Sequence, residues 1–208
     1  MNTLADQEVD RVECLCNGLG EKPRFAREIG MRVAAELCRA LRPECIKIIV
    51  AGSLRRRKND IGDIEILYIG RTGVRQKAGD MFEEEEFDRA DAKILELELA
   101  EVIGRRLNVK GFETYGPKIK LVKHLETGLP VDLFKATADN WFNYLVCRTG
   151  PAESNTAICM AAQRRGWKWE PYSSGFVSLH DPAVREAMTS ERDVFEFVNL
   201  KYVEPKDR

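Results

Sequence analysis

The sequence predicts an α+β fold in which a mixed sheet carries helices on one face and a smaller α/β domain follows. Two observations support this class: apolar runs of strand length alternate with long segments of helical apolar spacing, and the pattern changes after Gly150. With 208 residues, 44% of them hydrophobic, the chain can bury a core in one compact unit or two small ones. We expect a larger domain over residues 1–148, with an N-terminal helical segment, and a smaller one over 149–208.

The first half of the larger domain is predicted from apolar spacing. Residues 24–42 carry apolar side chains at helical intervals and end at a proline, which favours a helix packed across the sheet. Strands follow at about 46–51 and 62–69, and a loop rich in glycine and charge is expected over 70–87. We interpret its acidic run, Glu83–Glu86, as the solvated start of the next helix, where the helix dipole favours acids.

The second half of this domain continues the mixed pattern. A second helix is expected over 89–107, followed by strands near 112–115, 118–124 and 130–135. Glu126-Thr127-Gly128 is the turn that joins the last two strands. Two helices on one face of these strands give an α+β domain.

The smaller domain is predicted as a helix, a hairpin and a last helix. Residues 153–165 form the first helix, closed by a glycine, and residues 191–200 form the last, with Ser190 as N-cap. The hairpin turns at Ser173-Ser174-Gly175. Its tryptophans, Trp167 and Trp169, are better explained by packing on the helix than by stacking on bases.

Bulk properties limit the function classes. Six cysteines and two isolated histidines argue against a zinc site, and reduced intracellular thiols are the default. No apolar run reaches transmembrane length and the start is not a signal peptide, so we expect a cytoplasmic monomer without membrane contact. The net charge of −1 argues weakly against a general nucleic-acid coat, but basic residues cluster, at 55–58, 118–123 and 164–168.

The stretch from Gly52 to Glu65 carries the chemistry. Gly52 allows a sharp turn after a buried strand, and Ser53 offers a hydroxyl and an N–H to a phosphate. Asp63 and Glu65 are two residues apart on the next strand and so share a face. Taken alone, such a pair is most simply a solvated strand face. Beside a phosphate-binding turn and the basic run, it indicates a Mg²⁺ and triphosphate site.

A third acid, Asp132, lies between apolar neighbours on a later strand. It lies beside Asp63 and Glu65 if the two strands are adjacent in one sheet. Three carboxylates around two metal ions are what in-line nucleotidyl transfer requires. On spacing alone, a solvated strand residue explains Asp132 equally well.

These motifs together resemble the family X DNA polymerases, the DNA polymerase beta-like nucleotidyltransferases. The resemblance covers about residue 28 to the end, and its parts occur in the family's order: Gly-Ser-Leu-Arg-Arg at 52–56, Gly-Asp-Ile-Glu at 62–65, Val-Asp-Leu-Phe at 131–134, Cys-Arg-Thr-Gly-Pro at 147–151 and Lys-Tyr-Val-Glu-Pro-Lys-Asp-Arg at 201–208. The resemblance implies a nucleotidyltransferase palm followed by a small thumb. It also implies two Mg²⁺ or Mn²⁺ ions as cofactors, and a primer 3′ end and a deoxynucleoside triphosphate as partners.

The resemblance assigns roles to individual residues. Catalytic and metal-binding roles fall to Asp63, Glu65 and Asp132. The incoming nucleotide is assigned to the turn, to the basic run and to the junction before the thumb, namely Gly52, Ser53, Arg56, Gly62, Arg148, Gly150 and Asn155. Candidate DNA-phosphate contacts are Lys118, Lys120, Arg164 and Arg165, although solvent exposure or the helix dipole also explains them.

Three departures from the family pattern matter. Glu65 stands where these polymerases usually have Asp, which changes the ligand geometry. Cys147 and Arg148 replace an aromatic pair that contacts the nucleotide sugar, which leaves sugar choice open. Only about forty residues precede the first strand, too few for the family's N-terminal domains, and Gly18-Leu19-Gly20 is better explained as a turn than as a DNA-gripping hairpin.

Three hypotheses follow. The first is a minimal palm-plus-thumb polymerase that adds nucleotides to a DNA 3′ end and fills short gaps in repair. The second is a template-independent or RNA-directed nucleotidyltransferase, which the Cys147-Arg148 pair keeps open. The third is a non-catalytic DNA-end-binding module, against which three adjacent, mutually repelling carboxylates argue.

Overall fold

The structure, a computed structural model, describes residues 23–79 and 82–208, and it confirms the predicted α+β class. The Gly18-Leu19-Gly20 turn and the cysteines at 14 and 16 lie outside the described residues. Up to residue 105 the elements are β1 (Phe25–Ala26), α1 (Arg27–Leu41), a 3₁₀ turn (Arg42–Glu44), β2 (Cys45–Val50), α2 (Gly52–Arg55), β3 (Asp60–Ile61), β4 (Ile64–Gly70), β5 (Thr72–Gln76), β6 (Glu84–Asp88), α3 (Arg89–Leu99) and β7 (Ile103–Arg105).

The remaining elements complete the sheet and form the C-terminal part. They are β8 (Ile119–His124), β9 (Pro130–Lys135), α4 (Trp141–Thr149), α5 (Ala152–Arg164), β10 (Trp167–Glu170), β11 (Gly175–Ser178), β12 (Arg185–Glu186), α6 (Glu191–Phe197) and a 3₁₀ turn (Pro205–Asp207). The predicted domain boundary, between residues 148 and 149, falls in the last turn of α4 and stays a prediction.

The central element is a five-stranded mixed sheet in the order β2-β4-β9-β8-β7. Only β4 and β9 run parallel, and their register sets Glu65 opposite Asp132. Alternate residues of β4 and β9 point to one side, where Ile64, Ile66 and Leu133 pack with buried residues of α1 and α3. We call this side the helix face. The other side carries Glu65, Asp132 and Phe134, and we call it the site face.

Helix α4 joins the sheet to the C-terminal part. Its residues Tyr144 and Leu145 pack on Leu67 and Phe134 of the site face. Its residue Val146 belongs instead to the core of α5, α6 and the β10–β11 hairpin. No helix was predicted from the sequence at this position. Because one helix serves both cores, the site face ends directly against the C-terminal part.

The C-terminal elements follow the prediction closely. Ser190 caps α6, accepting a hydrogen bond from the Asp193 N–H at 3.1 Å, although α6 ends at Phe197 rather than at 200. Trp169 is buried and donates from Nε1 to Asn143 Oδ1 at 2.8 Å. Trp167 packs edge-to-face on Phe197. The structural interpretation of the two tryptophans is therefore confirmed.

The prediction of a loop over 70–87 is wrong, and so is the prediction that its acidic run, Glu83–Glu86, starts a helix. The segment forms the β5–β6 hairpin, in which Arg75 pairs with Glu85 at 2.7 Å and Lys77 with Glu83 at 2.5 Å. Charges of opposite sign across the hairpin replace the apolar alternation by which strands are usually recognised. The helix begins only at Arg89, after Asp88 accepts the Asp91 N–H at 2.9 Å.

The helix expected over 89–107 is too long, and the strand near 112–115 is wrong. Helix α3 ends at Leu99, Glu101 takes a positive φ of 55°, and β7 follows at Ile103. Ile103 keeps the helical apolar spacing but is buried as a strand residue against β8. Residues 112–115 contribute two isolated bridges instead of a strand.

Candidate active site

The three predicted carboxylates meet on the site face. The β4–β9 register places Glu65 beside Asp132, and Asp63 precedes β4 by one residue on the same side as Glu65. The Ala51 N–H donates to the Glu65 carbonyl at 2.7 Å, which holds the following turn against β4. The predicted adjacency of the acids is therefore present in the fold.

Glycine is the residue type that fits at position 52, in the turn after β2. Its φ is +64°, and a Cβ there would lie 2.3 Å from Glu65 Oε2. Any side chain would be strained and would displace the carboxylate. Ser53 follows as the second residue of α2, and its Oγ is buried without a hydrogen-bond partner among the described residues.

The acids of the site face are paired with arginines rather than with one another. Arg148, in the last turn of α4, lies 3.7 Å from Glu65 and stacks 3.8 Å above the Phe134 ring. Arg106, just after β7, donates to Asp132. Sequence reasoning missed Arg106, because no motif or spacing connects it with a residue 26 positions later.

The electrostatics of these acids are dominated by burial. Burial raises the pKa of Glu65 to about 8, Asp63 and Asp132 add to the shift, and Arg148 and Arg56 oppose it. Burial also raises the pKa of Asp132, against the charge and hydrogen bond of Arg106. The charges of the two arginines therefore do not offset the cost of burying these ionised carboxylates.

Within residues 23–79 and 82–208, no group of three His, Cys, Asp or Glu side chains is arranged to hold a metal ion. Glu65 and Asp132 lie against the guanidinium groups of Arg148 and Arg106 instead. The chemistry of the donor set nevertheless fits a divalent cation, because Asp63, Glu65 and Asp132 offer hard oxygen ligands on or just before two adjacent parallel strands.

The predicted nucleotide-binding residues surround the same point. Arg56 donates to the Thr149 carbonyl, and a Cβ on Gly150 would lie 3.3 Å from Arg56 Nη1. Asn155, at the start of α5, donates to the Cys147 carbonyl at 2.8 Å. Burial lowers the pKa of Arg56. Gly62 lies on the rim, in the turn before β4 and near Arg24.

Buried polar atoms without partners concentrate here. Of the seven such atoms in the described part of the chain, five belong to residues in or beside this site, namely Ser53 Oγ, Arg56 Nε, Arg106 Nε, Arg148 Nε and Asn155 Oδ1. Buried polar groups are normally paired, so a cluster of exceptions indicates a place built for polar ligands.

A second arginine attaches the turn to the C-terminal part. Arg55 donates to Thr149 Oγ1 at 2.6 Å and forms an ion pair with Glu191 at the start of α6. Arg208, whose side chain is 1% exposed, reaches the same glutamate at 3.2 Å. Through Glu191, this cluster connects the basic run at 55–58 with the C-terminal motif at 201–208. The run therefore serves the junction as well as the site.

Of the four candidate DNA contacts, Lys120 does not fit. It is buried, and its ammonium group donates to Asp91 at 2.8 Å on the helix face. The expected exposed strand face for Lys120 is therefore wrong. Lys118 is exposed before β8, and Arg164 and Arg165 are exposed where α5 ends. At 1.5 Å per residue, Arg164 lies about 14 Å along α5 from Asn155.

The sequence of the C-terminal part is similar to one known protein family. The family model of the DNA polymerase beta thumb matches residues 144–208. The C-terminal third of the chain is therefore similar to the thumb of DNA polymerase beta. The match begins inside α4, the helix that also covers the site face, and it links the chain to DNA binding or DNA synthesis. No curated protein matches the chain.

No helix within the described ranges is both long and apolar enough to cross a bilayer. The four cysteines in this part of the chain, Cys38, Cys45, Cys147 and Cys159, are free. They form no metal group with histidine or acids there.

Proposed function

We propose that the chain is a nucleotidyltransferase of the DNA polymerase family X type that adds deoxynucleotides to a DNA 3′ end. One observation carries the proposal: Glu65 and Asp132 are register partners on parallel strands, beside the Gly52 turn, where the sheet meets a polymerase thumb. Short-gap filling in DNA repair, as a monomer, is the role we propose for this palm and thumb. The domain boundary at 148/149 is part of this proposal.

Asp63, Glu65 and Asp132 are the residues that would hold two Mg²⁺ or Mn²⁺ ions. When bound, such ions lower the pKa of an attacking hydroxyl and neutralise charge on a triphosphate and its leaving group. Arg106 and Arg148 support the proposal in a second way. Their positive charges oppose the pKa rise that burial causes, and a bound cation would complete the ionisation of Glu65, whose pKa is raised to about 8.

The protein groups have separate roles in the proposed reaction. Asp132 accepts the proton of the primer 3′-hydroxyl. The Gly52–Ser53 backbone and the unpaired Ser53 hydroxyl bind the terminal phosphates. Arg56 and Arg148 supply positive charge beside them, and Asn155 contacts the nucleotide from the start of α5. Charge-assisted bonds of this kind are the strong class of hydrogen bond.

A non-catalytic DNA-end-binding module is the second candidate, and one observation favours it. Both strand carboxylates are paired with arginines, which is a self-sufficient arrangement if no reaction occurs. Template-independent or RNA-directed transfer is the remaining alternative. It is favoured by Arg148, which lies over Phe134 and 5.0 Å from Tyr172, at the position where the family carries an aromatic residue.

A primer-extension assay tests the proposal. A labelled primer is offered alone, on a template with a one-nucleotide gap and on an RNA template, each with deoxynucleotides or ribonucleotides and Mg²⁺ or Mn²⁺. Gap-dependent addition of deoxynucleotides is the expected result. Addition without template supports the alternative transferase, and binding of the gapped DNA without any addition supports the non-catalytic module.

A further inference from the structure

A groove of about 440 Å³ runs between α1 and the edge strand β2. It is separate from the candidate active site, because none of the three carboxylates lines it. Its walls are apolar in the middle and basic at both ends. Met31, Ile48 and Val50 form the middle, while Arg27 and Arg42 lie at the two ends of α1.

Three of the four arginines that line the groove have uncompensated charge, since Arg55 alone is paired, with Glu191. Arg27, Arg42 and Arg57 line it, and in the part of the chain that the structure describes none of them forms a hydrogen bond or an ion pair through its side chain. No acidic side chain lines the groove. Arginines at an apolar groove favour an acidic occupant, since burying their charge unpaired is costly.

Arg57 is held at the groove by an unfavourable backbone conformation. Its φ is +59°, and the Lys58 N–H donates to the Ser53 carbonyl at 3.1 Å across it. This is a helix C-terminal turn in which glycine is preferred, because the left-handed conformation is unfavourable for a residue with a side chain. The turn fixes the backbone from which the Arg57 side chain reaches the groove.

The groove also borders unpaired backbone. Strand β2 is the first in the sheet order, so only β4 pairs with it among the described strands. Its free edge offers N–H and C=O groups to another strand, and the side chains of Ile48 and Val50 lie in the adjacent groove. An extended peptide that pairs with β2 therefore places alternate side chains over the apolar middle.

We propose that this groove binds an acidic, extended segment of a partner protein, which adds a strand to β2. The paired part of the segment is about six residues long, because β2 offers the six residues Cys45–Val50 for pairing. Alternate apolar side chains enter the middle of the groove, and acids near both ends pair with the arginines. This is recognition by strand addition, with pockets setting specificity.

The apolar middle argues for a peptide rather than for DNA. Nucleic-acid surfaces are strongly polar and positive, and phosphate binding has no use for a row of aliphatic side chains. The unpaired strand edge also has a direct complement in a peptide backbone.

The experiment measures binding of a fluorescein-labelled peptide, DEVTITVED, by fluorescence polarisation to the full chain. The lysine analogue KKVTITVKK is the charge control. The test variant is Arg42→Glu with Arg57→Glu. The matched control is Arg32→Glu with Lys110→Glu, which makes the same charge change at exposed positions outside the groove. We expect binding of DEVTITVED only, at least tenfold weaker in the test variant and unchanged in the control.

Hydrogen exchange of the β2 backbone amides is measured as well, because non-specific charge attraction would not protect them. Protection of β2 amides by the peptide is expected, since strand addition pairs them. Equal loss of binding in both variants, or no protection of β2, overturns the proposal. So does displacement of the peptide by duplex DNA, which makes the groove a nucleic-acid surface. Tighter peptide binding after removal of residues 1–22 would mean that this segment of the same chain occupies the groove. A dimer that the test variant abolishes would mean that a second copy of the chain occupies it. Either result overturns the proposal of a partner protein.

Discussion

Acids on the two sides of the central sheet have opposite electrostatic surroundings. On the helix face, Asp91 accepts hydrogen bonds from Tyr68, Lys120 and Lys135, each between 2.8 and 2.9 Å. Burial alone raises the pKa of Asp91, but these bonds outweigh burial and leave it lowered. On the site face, Glu65 and Asp132 have one arginine each and raised pKa values.

Burial does not explain the difference by itself. The side chains of Glu65 and Asp132 are 18% and 15% exposed, and that of Asp91 is 27% exposed. The more buried acids thus have fewer donors, the reverse of what stability favours. Asp91 is placed to hold the fold together, whereas the site-face acids are placed where a cationic ligand has most to gain.

The largest expected effect is on the site face. Asp132→Ala should lower primer extension by at least about 100-fold, because it removes the proton acceptor and a metal ligand together. Nucleotide binding should stay largely intact. Extension rates and equilibrium nucleotide binding are measured for this variant and for Asp139→Ala, an exposed acid without a role. Near-native extension by Asp132→Ala would remove the site face from the chemistry.

A substitution on the helix face should lower the stability of the protein rather than its activity. Asp91→Asn leaves Lys120 buried without its carboxylate and should lower the free energy of unfolding by about 2–4 kcal/mol at pH 7. The pKa of Asp91 is lowered in the fold, so its stabilisation is complete above the unfolded value of about 3.9 and disappears as pH falls through the folded value.

Urea unfolding of native and variant proteins at several pH values checks this prediction. The difference between them should shrink below about pH 4, where Asp91 itself becomes protonated. Asp139→Asn serves as the control and should change stability little. An Asp91→Asn protein as stable as the native one would mean that the two faces do not differ as described.

Arg56 links the site face to the thumb, and its removal should affect nucleotide binding. Arg56→Ala should weaken nucleotide affinity by about 10- to 100-fold, since a charge-assisted phosphate bond contributes about 1.5–3 kcal/mol. The comparison with Arg55→Ala is essential, because Arg55 also attaches the turn to the thumb, through Thr149 and Glu191. An equal loss in both variants would show that Arg56 acts through the junction and not on phosphate.

The smallest effect concerns the exposed DNA contacts. If DNA is held chiefly through phosphate contacts, binding by this chain should depend steeply on salt, by about 0.9 log unit per log unit of salt for each phosphate contacted. Arg164→Ala with Arg165→Ala should reduce this slope, and Lys110→Ala should not. Product length against a trapping excess of unlabelled DNA should show one or a few additions per encounter. Long products, or binding indifferent to salt, would require a grip outside these residues.

The sequence predicted the site better than it predicted the connections. Gly52, Glu65 and Asp132 were recognisable because strand alternation and glycine chemistry act locally. The β5–β6 hairpin was missed because paired charges, Arg75 with Glu85 and Lys77 with Glu83, stabilise it in place of apolar alternation.

Long-range partners were the other failure. Arg106 meets Asp132 only because β7 joins the sheet beyond β8, and that strand was read as the end of a helix. Lys120 was assigned to DNA because the sequence does not show that Asp91 lies beneath it on the helix face. Such pairings are set by the strand order, which local patterns do not determine.

The difference between the two faces is tested most directly by measuring how Mg²⁺ changes thermal stability. The melting temperature is measured against Mg²⁺ concentration for the native chain, Glu65→Gln and Asp91→Asn. A ligand at ten times its dissociation constant stabilises by about 1.4 kcal/mol, a rise of roughly 3–6 °C for a chain of this size. The native chain and Asp91→Asn should show that rise and Glu65→Gln should not. A rise of equal size in Glu65→Gln, or none in the native chain, would contradict the assignment of the site face as a metal centre.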